Sequence, residues 1–436
     1  MQFSKIFYVI ISTILVTAFM LIIYVSRVNN INDNQEGKPV KIYFADNISS
    51  AHTKVINLFN KHYKGRIEVV PINLPFDKFS TNDRKELLAR YFRSKSDRID
   101  VFAVDQIWVP RFARWAMPLD GYLPESEKAM MLKYALKSCY YKDTLVAIPL
   151  YLDIAMIYYR KDLIKKINNS NQLESDLKKS ITWEELIELS KKFNNNPFYI
   201  FQADDYEGLM CAYTEILANM GGKLMESDSL LLKTPEAEKA LQFLVDLVNK
   251  YKISPRDVLR FKEDDSYKYF LQNNGVFLRG WTGLFENNAI GKSYIELKDN
   301  IEEIPTPHLS GSNPASVFGG WDLMVSMFSS KIPESICFIK FLMSEEAQKI
   351  LFEEGGYVPI NNKIYSDSSL IKDRTKLNCY YQLIQTGIYR PFSEQYTNVS
   401  DILSYYMNLA LKGSLTPHEA LFKADEKLNS KSILLK

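Results

Sequence analysis

The side chains best placed for chemistry are carboxylates and aromatic rings at the ends of short apolar runs. Four segments show this pattern, at residues 146–153, 201–209, 277–281 and 317–322. None of them places a nucleophile beside a base, and none has the spacing of a metal site. Carboxylates accept hydrogen bonds from hydroxyl groups, and aromatic planes cover weakly polar surfaces. The pattern therefore predicts a protein that binds a polar ligand and leaves it unchanged.

Length and composition limit the classes of protein to which such a site can belong. The chain has 436 residues, of which 46% are hydrophobic, and this size predicts two domains or two lobes of one domain. Its net charge of +2 argues against a nucleic-acid-binding surface. The four cysteines and four histidines are scattered, with no Cys-x-x-Cys pair. The sequence thus predicts buried thiols, no metal site and no cofactor.

The amino-terminal segment is apolar enough to cross a membrane. Residues 6–25 carry no charge, Lys5 precedes them and Arg27 follows them. A cleaved signal peptide needs a shorter apolar run and a small-x-small cleavage site, which is absent here. We interpret residues 1–26 as a membrane anchor, with a cleaved signal and a structural helix as alternatives. Residues 27–39 are then a polar linker, and the bulk of the chain lies outside the cytoplasm.

The first part of the folded region alternates between strand and helix patterns. Residues 40–44, 67–70 and 99–104 have the composition of strands, and residues 53–63 and 85–93 have that of helices. This alternation predicts an α/β lobe with a largely parallel sheet.

Strand patterns return late in the chain, after a long helical region. They lie at residues 274–278 and 322–326, and helix caps at Thr182, Thr234 and Thr416 mark helices around them. A chain that leaves one lobe, builds another and returns would cross between them several times. Such crossings are what a hinged, two-lobed protein requires.

A series of motifs follows in a fixed order between about residues 40 and 430. They include Asp100-Val101, Phe112-Ala113, Pro118-Leu119-Asp120, Tyr159-Arg160-Lys161-Asp162-Leu163, Thr182-Trp183-Glu184-Glu185-Leu186, Tyr206-Glu207-Gly208-Leu209, Arg279-Gly280-Trp281, Gly319-Gly320-Trp321, Arg390-Pro391 and Leu411-Lys412-Gly413-Ser414. In this order they resemble the family 1 extracellular solute-binding proteins, which are the substrate-binding subunits of ABC importers for maltose, trehalose and other sugars.

The resemblance implies an α/β fold of the type II periplasmic-binding-protein kind. Two α/β lobes would be joined by a multi-segment hinge, with a ligand cleft between them. We expect residues 40–150 and about 277–328 in lobe 1, and residues 151–276 and about 329–436 in lobe 2. The implied function is capture of a sugar or oligosaccharide outside the cytoplasm and its delivery to ABC permease subunits, by a monomer that is not an enzyme.

The resemblance also implies a set of ligand contacts. The first candidates carried over are Asp105, Tyr151, Asp153, Trp281, Trp321 and Arg390. A second group comprises Glu207, Trp108, Gly320 and Arg84. The arginines leave the charge of the sugar open, because they would also suit a uronate.

Several polar candidates have an alternative that involves no ligand. Asp105 would cap the next helix, and Asp153 would form a hydrogen bond in the hinge. Arg390 would form a surface salt bridge, and Glu207 would stand in the first turn of a helix, where its charge suits the helix dipole. For Trp281, Trp321 and Tyr151 the alternative is packing in the core.

Two other functions remain open at this point. A glycoside hydrolase needs two carboxylates about 5–10 Å apart, for which Asp105 and Asp153 are candidates, although no hydrolase motif accompanies them. The other alternative is a membrane-tethered, carbohydrate-sensing ectodomain that works with a partner signalling protein, because only about five residues precede the apolar segment.

Overall fold

The computed structural model describes residues 38–430, except 76–77, 80, 194–195, 227–228, 285–295, 368, 370 and 372–373. The predicted membrane anchor or signal at residues 1–26 lies outside this described part, as does nearly all of the linker. No helix in the part that is described has the length and apolar character needed to cross a membrane.

The strands are short, with two exceptions. They are β1 (Val40–Asp46), β2 (Ile67–Asn73), β3 (Val101–Asp105), β4 (Tyr140–Tyr141), β5 (Thr144–Leu145), β6 (Ile148–Arg160), β7 (Tyr199–Ile200), β8 (Met225–Glu226), β9 (Ser229–Leu230), β10 (Phe277–Trp281), β11 (Ile301–Ile304), β12 (Ser316–Val325) and β13 (Gly387–Ile388). The two long strands, β6 and β12, are buried along almost their whole length.

Helices surround the strands and connect them. They are α1 (Ser50–His62), α2 (Thr81–Arg93), α3 (Val109–Phe112), α4 (Glu125–Lys128), α5 (Lys133–Leu136), α6 (Lys161–Ile164), α7 (Ser170–Lys179), α8 (Trp183–Ser190), α9 (Glu207–Asn219), α10 (Pro235–Asn249), α11 (Glu263–Gln272), α12 (Ile332–Leu342), α13 (Glu345–Gly355), α14 (Asn362–Ser366), α15 (Arg374–Ile384), α16 (Tyr396–Leu411) and α17 (Pro417–Asn429). The predicted caps at Thr182, Thr234 and Thr416 are confirmed, because each hydroxyl accepts a backbone N–H hydrogen bond at its helix start.

The main sheet has the strand order β2-β1-β3-β12-β6-β10-β7, with β11 paired to β6 and β13 paired to β12. Its first three strands are parallel, as the alternating sequence pattern predicts. Strand β12 returns antiparallel to both β3 and β6. The predicted α/β fold is therefore confirmed.

Strand β6 connects the two parts of the sheet. Its first half pairs with β12, where Ile148 faces Leu323 and Ile154 faces Phe318. Its second half pairs with β10, where Ala155 faces Trp281. A single strand that changes partner along its length carries consecutive residues from one group of strands to the other. The change of partner falls beside Asp153.

The lobe boundaries stay a prediction, but two sets of contacts bear on them. Strand β10, which the prediction assigns to lobe 1, pairs with the second half of β6 and with β7. Helices α12 and α13, which it assigns to lobe 2, pack against α1. These contacts favour placing residues 277–281 with the second lobe and residues 332–355 with the first.

Candidate ligand-binding site

A cleft opens where strands β3, β12, β6 and β10 meet the starts of helices α9 and α11. Its volume is about 1070 Å³ with the open solvent at its mouth included. Eight of the ten predicted site residues line it: Asp105, Tyr151, Asp153, Glu207, Trp281, Gly320, Trp321 and Arg390.

Strand register explains why three of these residues converge. Trp321 on β12 lies directly opposite Asp105 on β3 and also opposite Tyr151 on β6. Residues opposite one another on neighbouring strands project to the same face of the sheet. A carboxylate, an indole and a phenol from three distant parts of the chain thus form one row.

A β-bulge between Trp321 and Asp322 interrupts the pairing of β12 with β6. The preceding residue, Gly320, has a φ of +134°, and a methyl group added there would lie 2.7 Å from the carbonyl oxygen of Tyr151. Only glycine fits this conformation at such close approach. Gly320 therefore allows the backbone of β12 to take the conformation that places Trp321 at the cleft.

Gly319 gives Trp281 access to the cleft. It lies opposite Asp153 on β6, and a methyl group added to it would lie 2.8 Å from Cζ3 of Trp281. The missing side chain leaves the space that the indole occupies beside Asp153. Trp281 itself is half-buried, so part of its ring remains available to a ligand.

The Asp153 carboxyl group is positioned by one neighbouring hydroxyl. The Thr282 hydroxyl donates a hydrogen bond of 3.3 Å to its Oδ1 atom, which matches the predicted alternative of a local hydrogen bond. Burial raises the pKa of Asp153 well above its usual range, and the Asp105 carboxylate adds to that rise against the opposing effect of Thr282. A carboxyl group has two oxygens that accept hydrogen bonds, so Asp153 can bind a ligand hydroxyl besides that of Thr282.

Arg390 is buried and joins two candidate carboxylates. Its Nη1 donates to Glu207 at 2.8 Å, and its Nη2 donates to Asp105 at 3.1 Å and to the Phe318 carbonyl oxygen at 3.2 Å. The predicted alternative of a salt bridge holds, but not at the surface, because Arg390 is 2% exposed. The pairing holds side chains from β3, α9 and the segment before α16 in one cluster.

Asp105 and Glu207 each combine a structural role with a place in the cleft wall. Asp105 caps the short 3-10 helix that follows β3, since its Oδ1 accepts from the Ile107 N–H at 3.2 Å. Glu207 is the first residue of α9, and it accepts hydrogen bonds from Tyr396 at 2.9 Å and from Ser400. The predicted alternatives, a cap for Asp105 and a first-turn position for Glu207, are therefore both observed. Both residues also line the cleft.

The remaining two candidates, Trp108 and Arg84, lie behind the cleft wall. The Arg84 guanidinium is 3.9 Å from the ring centroid of Trp321, and its Nη2 donates to Asp46 at 2.6 Å. Trp108 meets Trp321 edge-on at a centroid distance of 6.4 Å. Both are almost fully buried, so they support Trp321 and we propose no direct ligand contact for either.

The cleft also has lining residues that sequence reasoning missed. Besides the glycines at 208 and 319, they are Asn47, Thr81, Tyr206, Cys211, Lys262, Glu263, Asp264, Tyr267, Thr282, Leu284 and Tyr357. Tyr357 packs on Tyr151 at a centroid distance of 4.1 Å. It follows Gly355-Gly356, a pattern like that before Trp321, so a signal for it was available. The start of α11 carried no comparable signal.

Comparison with known proteins identifies the class. Residues 41–349 match the family model described as bacterial extracellular solute-binding protein, and the chain belongs to that family. This confirms the resemblance predicted from the motifs, and with it a protein that binds a solute. One relative, a probable ABC transporter-binding protein of Deinococcus radiodurans, is 25% identical over 351 residues, which are 78% of this chain and 81% of the relative.

Two solved structures show the same fold. Maltose-bound T. maritima MalE3 has a TM-score of 0.79 and 27% identity, over 89% of this chain and 99% of that protein. A solute-binding protein of an ABC transporter from Thermotoga lettingae, bound with α-D-tagatose, has a TM-score of 0.76 and 25% identity, over 90% of this chain and 99% of that one. The predicted periplasmic-binding-protein fold is confirmed.

Proposed function

We propose that this protein captures a sugar or oligosaccharide outside the cytoplasm and delivers it to the permease of an ABC transporter. The observation that carries the proposal is the arrangement around Asp153. Trp281 and Trp321 come from two different strands, and a carboxyl group with spare hydrogen-bonding capacity lies between those strands. Indole faces cover the C–H surface of a sugar, and carboxyl groups bind its hydroxyls.

The relatives support both parts of the proposal. The two structures named above were solved with maltose and with tagatose, and the Deinococcus relative is named as an ABC transporter-binding protein. All three are similar to this chain over most of its length. A permease partner follows from the same likeness, and the predicted anchor at residues 1–26 would keep the protein at the membrane surface.

Ligand release depends on movement of the two halves of the sheet about β6. A sugar that contacts both tryptophans binds the closed arrangement better than the open one, so its binding shifts the population toward closure. The hydrolase alternative lacks support, because the family to which the chain belongs binds solutes and Asp105 is held by Arg390 and a backbone N–H.

The proposal is tested by measuring thermal stability against a panel of neutral mono- and oligosaccharides. A sugar at 100 times its dissociation constant stabilises the folded state by about 2.7 kcal/mol, which is a clear rise in melting temperature. Isothermal titration with the best sugar then compares Trp281→Ala with Trp115→Ala. Trp115 is also half-buried but does not line the cleft.

We expect the Trp281→Ala variant to lose at least tenfold in affinity while the Trp115→Ala variant binds normally. Truncation of a central aromatic contact to alanine costs about 2 kcal/mol or more, and a tenfold loss in affinity corresponds to about 1.4 kcal/mol. A panel in which no saccharide raises the melting temperature would contradict the proposed function. Equal affinity in both variants would remove Trp281 from the site.

A further inference from the structure

The charges of the cleft are strongly unbalanced. Its described lining contains five carboxyl groups: Asp105, Asp153, Glu207, Glu263 and Asp264. They come from β3, β6 and the starts of α9 and α11. In the same lining only Lys262 and Arg390 are cationic. At full ionisation the lining therefore has three more negative groups than positive ones, from five against two.

Neither cationic group is well placed to receive a ligand anion. Arg390 already donates to Glu207 and Asp105, at 2.8 and 3.1 Å. Lys262 directly precedes Glu263 and Asp264 in the chain, and its ammonium lies 5.8 Å from the ring centroid of Tyr206. An anion near Lys262 would meet two carboxyl groups as well as one ammonium.

The helix starts at the cleft are also occupied by the protein's own acidic groups. The free N–H groups of a helix start form a natural anion site. Here Glu207 stands in the first turn of α9, and Glu263, Asp264 and Asp265 stand in that of α11. These carboxylates already complement the helix dipoles, so little positive potential is left for a ligand.

From this charge distribution we propose that the ligand of the cleft is an uncharged saccharide and that the site rejects anionic sugars such as uronates and sugar phosphates. The inference rests on the proposed function and adds to it the charge class of the ligand. It also resolves what the sequence leaves open, because Arg84 and Arg390, which would suit a uronate, are both paired with protein carboxylates.

The test uses matched pairs of sugars in isothermal titration. Each neutral saccharide that binds is compared with its counterpart in which one CH₂OH group is oxidised to a carboxylate. Like charges brought together at a binding site cost several kcal/mol, so we expect the uronate to bind at least about 100-fold more weakly. The difference should shrink as salt is raised from about 0.01 to 0.15 M, because the Debye length falls from about 30 to 8 Å.

A charge-neutralising variant sharpens the test. Glu263→Gln should narrow the affinity ratio between neutral and anionic sugar, whereas Glu188→Gln, at an exposed position on α8 with 69% side-chain exposure, should leave it unchanged. A uronate that binds as tightly as its neutral partner would overturn the inference and leave the proposed function intact. Failure of every neutral and anionic saccharide would instead contradict the proposed function itself.

Discussion

Both tryptophans of the cleft pack against a buried arginine, but the two arginines are held by different acidic partners. Each indole has a buried arginine against its ring, Arg84 at 3.9 Å from Trp321 and Arg279 at 5.0 Å from Trp281. Trp321 is 6% exposed and also touches Trp108, whereas Trp281 is half-buried. The Trp321 side is thus part of the core, and the Trp281 side keeps more of its ring free.

The two arginines differ most in the side chains that hold them in place. Arg279 forms a two-pronged pair with Glu215, at 2.9 and 2.7 Å, and also donates to Gln202 at 3.1 Å. Arg84 pairs with Asp46 through Nη2 at 2.6 Å, and His52 stands 3.6 Å from the same carboxylate. Among the described residues, Glu215 is paired with one cation, Arg279, whereas Asp46 has Arg84 and, when protonated, His52.

Two arginines that pack on tryptophan rings in a similar way can therefore differ in how much stability the protein loses when each is replaced. Where one guanidinium is the only cation for a buried carboxylate, its removal leaves an uncompensated charge. Where a histidine stands nearby, proton uptake can replace the lost charge. The following predictions test that contrast.

The largest effect is expected for Arg279→Met. The change leaves the Glu215 carboxylate buried without its cation, and breaking a buried pair from one side costs about 3–5 kcal/mol. Urea unfolding followed by circular dichroism measures the loss. Arg260→Met is the control, because Arg260 is 77% exposed in its pair with Asp257 and should change stability by less than about 1 kcal/mol. Similar losses in both variants would mean that the Glu215 pair is not a special anchor.

A smaller loss, about 1.5–3 kcal/mol, is expected for Arg84→Met, as for a hydrogen bond to a charged group. In the wild type, burial lowers the pKa of His52 against the pull of Asp46, and Arg84 lowers it further. The folded wild type therefore resists protonation of His52, which costs stability as the pH falls below about 6.5.

Removal of Arg84 should weaken the resistance of His52 to protonation. Without the Arg84 charge the pKa of His52 would lie closer to its ordinary value, although burial still lowers it, so the variant should lose less stability than the wild type as the pH falls. The Arg84→Met defect should therefore be smaller at pH 5 than at pH 8 in urea unfolding. The double variant Arg84→Met/His52→Gln should lose this dependence. A defect of equal size at both pH values would show that His52 does not compensate.

The smallest effects are expected at the two neighbouring glycines. Gly320→Ala forces a methyl group toward the Tyr151 carbonyl in a backbone conformation that side chains disfavour, and we expect a loss of about 1–2 kcal/mol. In Gly319→Ala the new methyl group meets mainly the movable ring of Trp281, so we expect this variant to lose less stability but more sugar affinity than Gly320→Ala. Thermal unfolding measures the stability of both variants, and isothermal titration measures their sugar affinity. A larger stability loss in Gly319→Ala, or a larger affinity loss in Gly320→Ala, would contradict the prediction.

Local signals in the sequence predicted much of this molecule. Helix caps and the first parallel strands depend on residues that are close together in the chain. The caps at Thr182 and Thr416 and the parallel strands β1 to β3 are all observed. The ordered motifs Arg279-Gly280-Trp281 and Gly319-Gly320-Trp321 led to the two tryptophans, which line the cleft. Arg84 was predicted as a ligand contact but lies behind Trp321, because its side chain pairs with Asp46, a partner distant in sequence.

The sequence by itself determined the fold class, the family and eight of the residues that line the cleft, because periodicity, caps and ordered motifs are carried by short stretches of chain. Only the tertiary structure decided which side chains line the cleft and which support them from behind. That choice depends on strand register, as in the row Asp105, Trp321 and Tyr151, and on the meeting of helix starts with the sheet. Both bring together residues that are far apart along the chain, so no local pattern contains them.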